Sequence, residues 1–84
     1  MKWLEIRNLF PDRFVLIEAT KAVSEKQRRT IEEMNVVDKY DSSTEAWNGY
    51  KEHHKEHPER EYYIFHTSKE NVEVVEQFFN GIRV

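Results

Sequence analysis

The chain contains no cysteine, which excludes disulfide staples, thiolate nucleophiles and Cys-ligated zinc together. It has two glycines and two prolines, at Gly49, Gly81, Pro11 and Pro58. Glycine-rich phosphate cradles and the G-x-S-x-G elbow of acyl-transfer enzymes are therefore absent. No stretch approaches the roughly 20 apolar residues that a membrane helix needs. The opening MKWLEIRNLF carries charges where an export signal would be apolar, so a cytoplasmic location without a membrane span is expected. There is no excess of positive charge either. A net charge of −3 argues against nucleic acid as a partner, because each neutralised phosphate takes its own Lys or Arg.

What remains is 84 residues, 38% hydrophobic and 35% charged, the composition of one small soluble domain spanning 1–84 with a thin core. Neither repeats nor linker-like tracts divide it. Trp3, Leu4, Ile6, Leu9 and Phe10 fall near helical spacing, and Pro11-Asp12 ends that pattern. From Arg13 to Val23 the residues alternate as in a strand, apolar on both faces at its start. The polar Ser24–Arg29 stretch then leads to Ile31, Met34, Val36 and Tyr40. The last three share one face, and a bulge near Glu32 would bring Ile31 into phase, completing a hairpin. The rival for 24–34 is a helix begun by a Ser24/Gln27 capping box.

Ser42-Ser43-Thr44-Glu45 is a second such box, and it opens a helix to about Glu56. Along this helix Ala46, Tyr50, His53 and His57 recur on the packing side with Trp47 and His54 beside them, while Glu45, Lys51, Glu52 and Lys55 face water. The aromatic Glu61–His66 run reads as a strand, and 72–82 reads as a further strand with a C-terminal helix as its rival. The expected fold is α+β in the order α-β-β-α-β-β. About four strands form a small antiparallel or mixed sheet, with the helices packed on one face.

Candidates for chemistry are few. His53 and His57 stand one helical turn apart, where two imidazoles can share a metal ion, and His66 could add a third ligand. The zincin pattern fails, since His rather than Glu follows His53. Glu18, Glu61 and His66 are candidates for acid–base work. Glu18 lies in an apolar strand, either on its solvated face or paired with Arg13, Arg28 or Arg60. Lys26, Arg28 and Arg29 make a basic tip, and Tyr62, Tyr63 and Phe65 could stack bases, although such a strand more often serves packing. Against these stand two Trp, four Tyr and five Phe, more rings than a thin core can hide. The leading expectation is thus a non-enzymatic binding or assembly module without a cofactor. Its contact residues would be Trp3, Arg60, Tyr62, His66, Thr67, Phe78 and Phe79, and its partner another protein or a second copy. A metal-dependent or acid–base hydrolase built on His53, His57, His66 and Glu61 is the alternative.

The segments FPDRFVLIEA, EAWNGYKEHH, PEREYYIFHTS and GIRV together resemble a family of small bacterial proteins without an assigned activity. The resemblance implies a bacterial cytoplasmic domain, with Pro58 to Glu61 and His66 to Ser68 as its shared stretch. It assigns no catalytic role.

Overall fold

Two adjacent left-handed residues organise the molecule. Lys26 and Gln27 have φ of 50° and 65°, the signature of a two-residue turn whose twist matches that of paired strands. In the computed structural model, which describes the backbone of residues 1–75 and the side chains of 1–73, this turn joins β1 (Phe14–Glu25) to β2 (Arg28–Tyr40). The helix expected as a rival over 24–34 does not form, because Ile31 and Met34 alone would give it too narrow an apolar face.

Three irregularities interrupt the hairpin register. Glu32 is the extra residue between the pairs Lys21–Glu33 and Ala22–Ile31, as the phase of Ile31 requires. Thr20 is a second, on β1. Val37 is a third, lying between the pairs Ile17–Val36 and Leu16–Asp38. A one-residue insertion sends the following side chains to the opposite face. Met34 and Val36 therefore lie on one face of the sheet and Tyr40 on the other, which corrects the expectation that the three share a face.

Helix α1 (Trp3–Leu9) precedes the hairpin; α2 (Ser43–Glu56) and β3 (Tyr62–His66) follow it. The frame is α+β, three antiparallel strands with two helices. A three-residue strand β4 (Glu73–Val75) is added beside Arg28–Thr30, giving the sheet order β3-β1-β2-β4. Most of the element expected over 72–82, as strand or helix, lies outside the described residues. So do Phe78 and Phe79.

The helices do not share a face. Val15 pairs with Phe65 and Ile17 with Tyr63, and these side chains meet Trp3 and Ile6 of α1 in one apolar cluster with Ile31, Met34 and Val72. Leu16 pairs with Ile64 and Glu18 with Tyr62, so by strand alternation they point the other way. There α2 lies across β1, β2 and β3, with its Ala46 fully buried and its His53 ring 5.9 Å from that of Tyr62. Consecutive residues Val15, Leu16 and Ile17 are all 0% exposed, which only a strand covered on both faces permits. The expected single helical layer is replaced by one helix above the sheet and one below.

Candidate functional site

Ser42 caps α2 by accepting a hydrogen bond at 3.2 Å from the Glu45 N–H, as its position in the capping box predicts. The helix then crosses the sheet in a defined rotation. Gly49 leans toward β2, where a Cβ would come within 1.9 Å of the Tyr40 hydroxyl oxygen. Burial raises the Tyr40 pKa, with the charges of Asp38 and Glu52 adding to it. At about 100° per residue, Glu45, Glu52 and Glu56 fall within about 60° of Gly49, whereas Trp47, Tyr50 and His54 stand about 100–160° round from it. The carboxylates thus follow the β2 side, and the rings occupy the flank on the β3 side.

Those rings form a column. Trp47 stacks on Tyr50 at 5.3 Å with 11° between planes, and Tyr50 stacks on His54 at 5.7 Å and 4°. Trp47 is 54% exposed. Trp47 and His54 lie beside the packing residues, as expected, and Tyr50 joins them in the column, whose i, i+3, i+7 spacing is visible in the sequence.

Beneath that flank runs β3, an edge strand. The Thr67 N–H donates to the Arg13 carbonyl at 2.8 Å and the Ala19 N–H to the Glu61 carbonyl at 2.9 Å, so odd-numbered residues turn their main-chain groups toward β1. Tyr62, Ile64 and His66 turn theirs outward. Among the described residues no strand pairs with that side. One outward group is engaged: the His66 carbonyl accepts from the Lys69 N–H at 3.0 Å.

The other expected contact residues have structural duties. Trp3 is buried, edge-on to Phe65, and donates its Nε1–H to the Lys69 carbonyl at 2.7 Å. Tyr62 is buried under α2. Thr67, 3% exposed, accepts from the Arg13 N–H at its hydroxyl, and its carbonyl accepts from Arg7 Nε. It ties α1 and the start of β1 to the end of β3. Arg60 is exposed and lies 3.5 Å from Glu18 and 3.8 Å from Glu59. Glu18 is therefore half-buried with a partner, intermediate between its two expected states.

Glu61 braces the strand start through three hydrogen bonds. Arg29 donates to it in bidentate fashion at 2.6 and 2.8 Å, and the Tyr63 hydroxyl donates at 2.7 Å. The Arg29 hydrogen bonds outweigh burial and hold the Glu61 carboxyl below its ordinary range, while burial and the adjacent carboxylate push the Tyr63 phenol up. A general acid or base is tuned toward neutrality, the opposite direction for Glu61. Arg28 is likewise bonded to Glu73 at 2.7 Å, so two guanidiniums of the basic tip already hold carboxylates.

The histidines do not converge. His53 lies over Tyr62, at one end of β3, and His66 is at the other, about 13 Å away by strand rise. His57 ends α2, its N–H donating to the His53 carbonyl and its Nδ1 3.8 Å from Glu59. Among the described residues no three His, Asp or Glu could hold a metal ion. His66 Nδ1 accepts from the Ser68 N–H at 3.2 Å and stands 2.7 Å from Ser68 Oγ, and its Nε2 is 3.6 Å from Asp12. Serine, imidazole and carboxylate follow the order of a nucleophile, base and orienting acid. However, Asp12 is 93% exposed, where water weakens its hold on the ring, and Ser68 belongs to the same turn as His66. The set brings the end of β3 alongside the Pro11–Asp12 turn, at a shallow groove lined also by Leu4, Arg7 and Asn8.

Compared with known proteins, the chain matches no family model, no curated protein and no solved structure. No described helix is long and apolar enough to cross a membrane.

Proposed function

We propose that this chain is a non-enzymatic protein-binding or assembly module of a bacterial cytoplasm, and that its contact surface is the Trp47–Tyr50–His54 flank of α2 together with the outer edge of β3. The observation that carries this reading is the exposed ring column. A Trp 54% open to solvent leaves apolar area in water at a cost of about 25 cal/mol per Å². Trp and Tyr are also the residues that most often anchor protein contacts. The α2 carboxylates Glu45, Glu52 and Glu56 sit on the β2 side, away from the rings.

Lys51 is exposed and borders the column, which makes it the position for a photo-crosslinking amino acid. Crosslinking in cells is expected to join Lys51 to protein, and Trp47→Ala to abolish the product while circular dichroism stays unchanged. A chain that forms no protein crosslink and sediments as a monomer would remove this reading.

A further inference from the structure

One two-fold axis satisfies both the open edge of β3 and the ring column of α2, and from that we infer that the partner is a second copy of the chain, paired antiparallel through β3 about an axis at Ile64. The inference rests on the reading of that flank as a contact surface and names its occupant.

Consider first the main chain. Only even-numbered residues of β3 face outward, so an antiparallel mate in hydrogen-bonded register must set even against even. Centring on Ile64 does so. Ile64 exchanges two hydrogen bonds with Ile64 of the partner subunit, and each His66 N–H donates to the Tyr62 carbonyl of the other copy. The His66 carbonyl is already held by Lys69, leaving four main-chain bonds that no described residue encumbers. The side chains agree with this register. Tyr62 stands opposite His66 of the partner subunit and Tyr63 opposite Phe65 of the partner subunit. No two like charges oppose each other between Glu61 and Thr67, and that stretch contains neither Pro nor Gly to interrupt the ladder.

The helices obey the same axis. Helix α2 begins near Tyr40, at the His66 end of β3, and finishes near Tyr62, so its middle lies level with Ile64. Tyr50 is the middle ring of the column. A two-fold at Ile64 therefore sets Tyr50 against its own mate and Trp47 against His54 of the partner subunit. With α2 over β1, the two helices would lie three strand spacings apart, about 14 Å. That exceeds the 8–10 Å of ordinary helix packing by the width that large rings fill. The three α2 carboxylates Glu45, Glu52 and Glu56 lie on the far flanks, so two chains of net charge −3 meet without setting these acidic groups against each other.

The test uses the full chain. Sedimentation equilibrium is expected to show a concentration-dependent dimer. Trp47→Lys is expected to weaken it at least tenfold with the far-UV spectrum unchanged. Cα atoms of a hydrogen-bonded antiparallel pair lie about 5.5 Å apart, within disulfide reach. Ile64→Cys, in a chain with no other cysteine, should therefore oxidise to a covalent dimer, whereas Lys39→Cys on β2 should not. A monomer at all concentrations, or crosslinking at residue 39 equal to that at 64, overturns the inference. A monomeric chain that still captures a foreign protein through Trp47 overturns this dimer alone and leaves the binding-module reading in place.

Discussion

Glu61 owes its low pKa to Arg29 first and to the Tyr63 hydroxyl after it, and this has a defined consequence for stability against pH. A carboxyl whose folded pKa lies below its unfolded value, about 4.3, contributes stability that is present above that value and lost as pH falls through the folded one. Glu61→Gln is therefore expected to be less stable than the wild type at neutral pH, with the gap closing as pH falls below the ordinary carboxyl value of about 4.3. Urea titrations at several pH values measure it, and a gap that does not change with pH would contradict the assignment. Thr67 offers a cleaner hydrogen-bond test, because its buried hydroxyl accepts from the Arg13 N–H. Thr67→Val keeps the shape, removes the acceptor and is expected to cost about 1–3 kcal/mol. Thr67→Ser should recover most of that loss. The sequence marks Glu61 for acid–base work and Thr67 for contact, and in the structure both hold hydrogen bonds of the scaffold. Their types showed that they could bond. What they bond to depends on Arg29 and Arg13, distant in sequence, which no local pattern reveals.

Among the elements, the hairpin was the most readable. Ile31 falls out of phase with Met34, and since strand side chains alternate strictly, the bulge at Glu32 follows from the sequence alone. Val37 breaks the register again but leaves no such mark, because the residue it displaces, Tyr40, is aromatic and suits either face. The turn itself carries unfavourable residues: Lys26 and Gln27 both sit at positive φ, which costs a residue with a Cβ roughly 1–2 kcal/mol. Replacing the pair by Asn-Gly is expected to raise stability by about 1–3 kcal/mol, readable as a higher urea midpoint with an unchanged slope. Helix α2 contains the complementary case. Gly49→Ala would ordinarily gain about 1 kcal/mol in a helix, yet here the new methyl meets the Tyr40 ring and is expected to cost about 1–3 kcal/mol. In a Tyr40→Ala background the same substitution should turn stabilising. A double-mutant cycle without that change of sign would mean that Tyr40 swings aside freely.

At the scale of the whole molecule, the decisive feature is a sheet covered on both sides. The run Val15-Leu16-Ile17 is apolar at every position, and that pattern belongs to a strand with no wet face. The sign was visible in the sequence, whereas its consequence was not. Helix α1 is short, and nothing in its own spacing says that Trp3 and Ile6 reach over the opposite side from α2. The exposed ring column was hidden for a related reason: composition showed an excess of rings, but burial had to decide that Trp3 and Tyr62 are core while Trp47 is exposed. Two-sided coverage makes neighbouring residues equivalent in a way that one-sided coverage does not. Leu16 faces α2 and Ile17 faces α1, and both are 0% exposed. Each truncation to Ala should then cost about 2–5 kcal/mol, against no more than about 0.5 kcal/mol for Val23→Ala on the exposed arm of the same strand. If α2 rested on the sheet without forming a core, Leu16→Ala would be nearly neutral while Ile17→Ala remained severe. Equilibrium unfolding of the three variants separates these outcomes, and comparable losses at residues 16 and 17 are the result that two packed layers require.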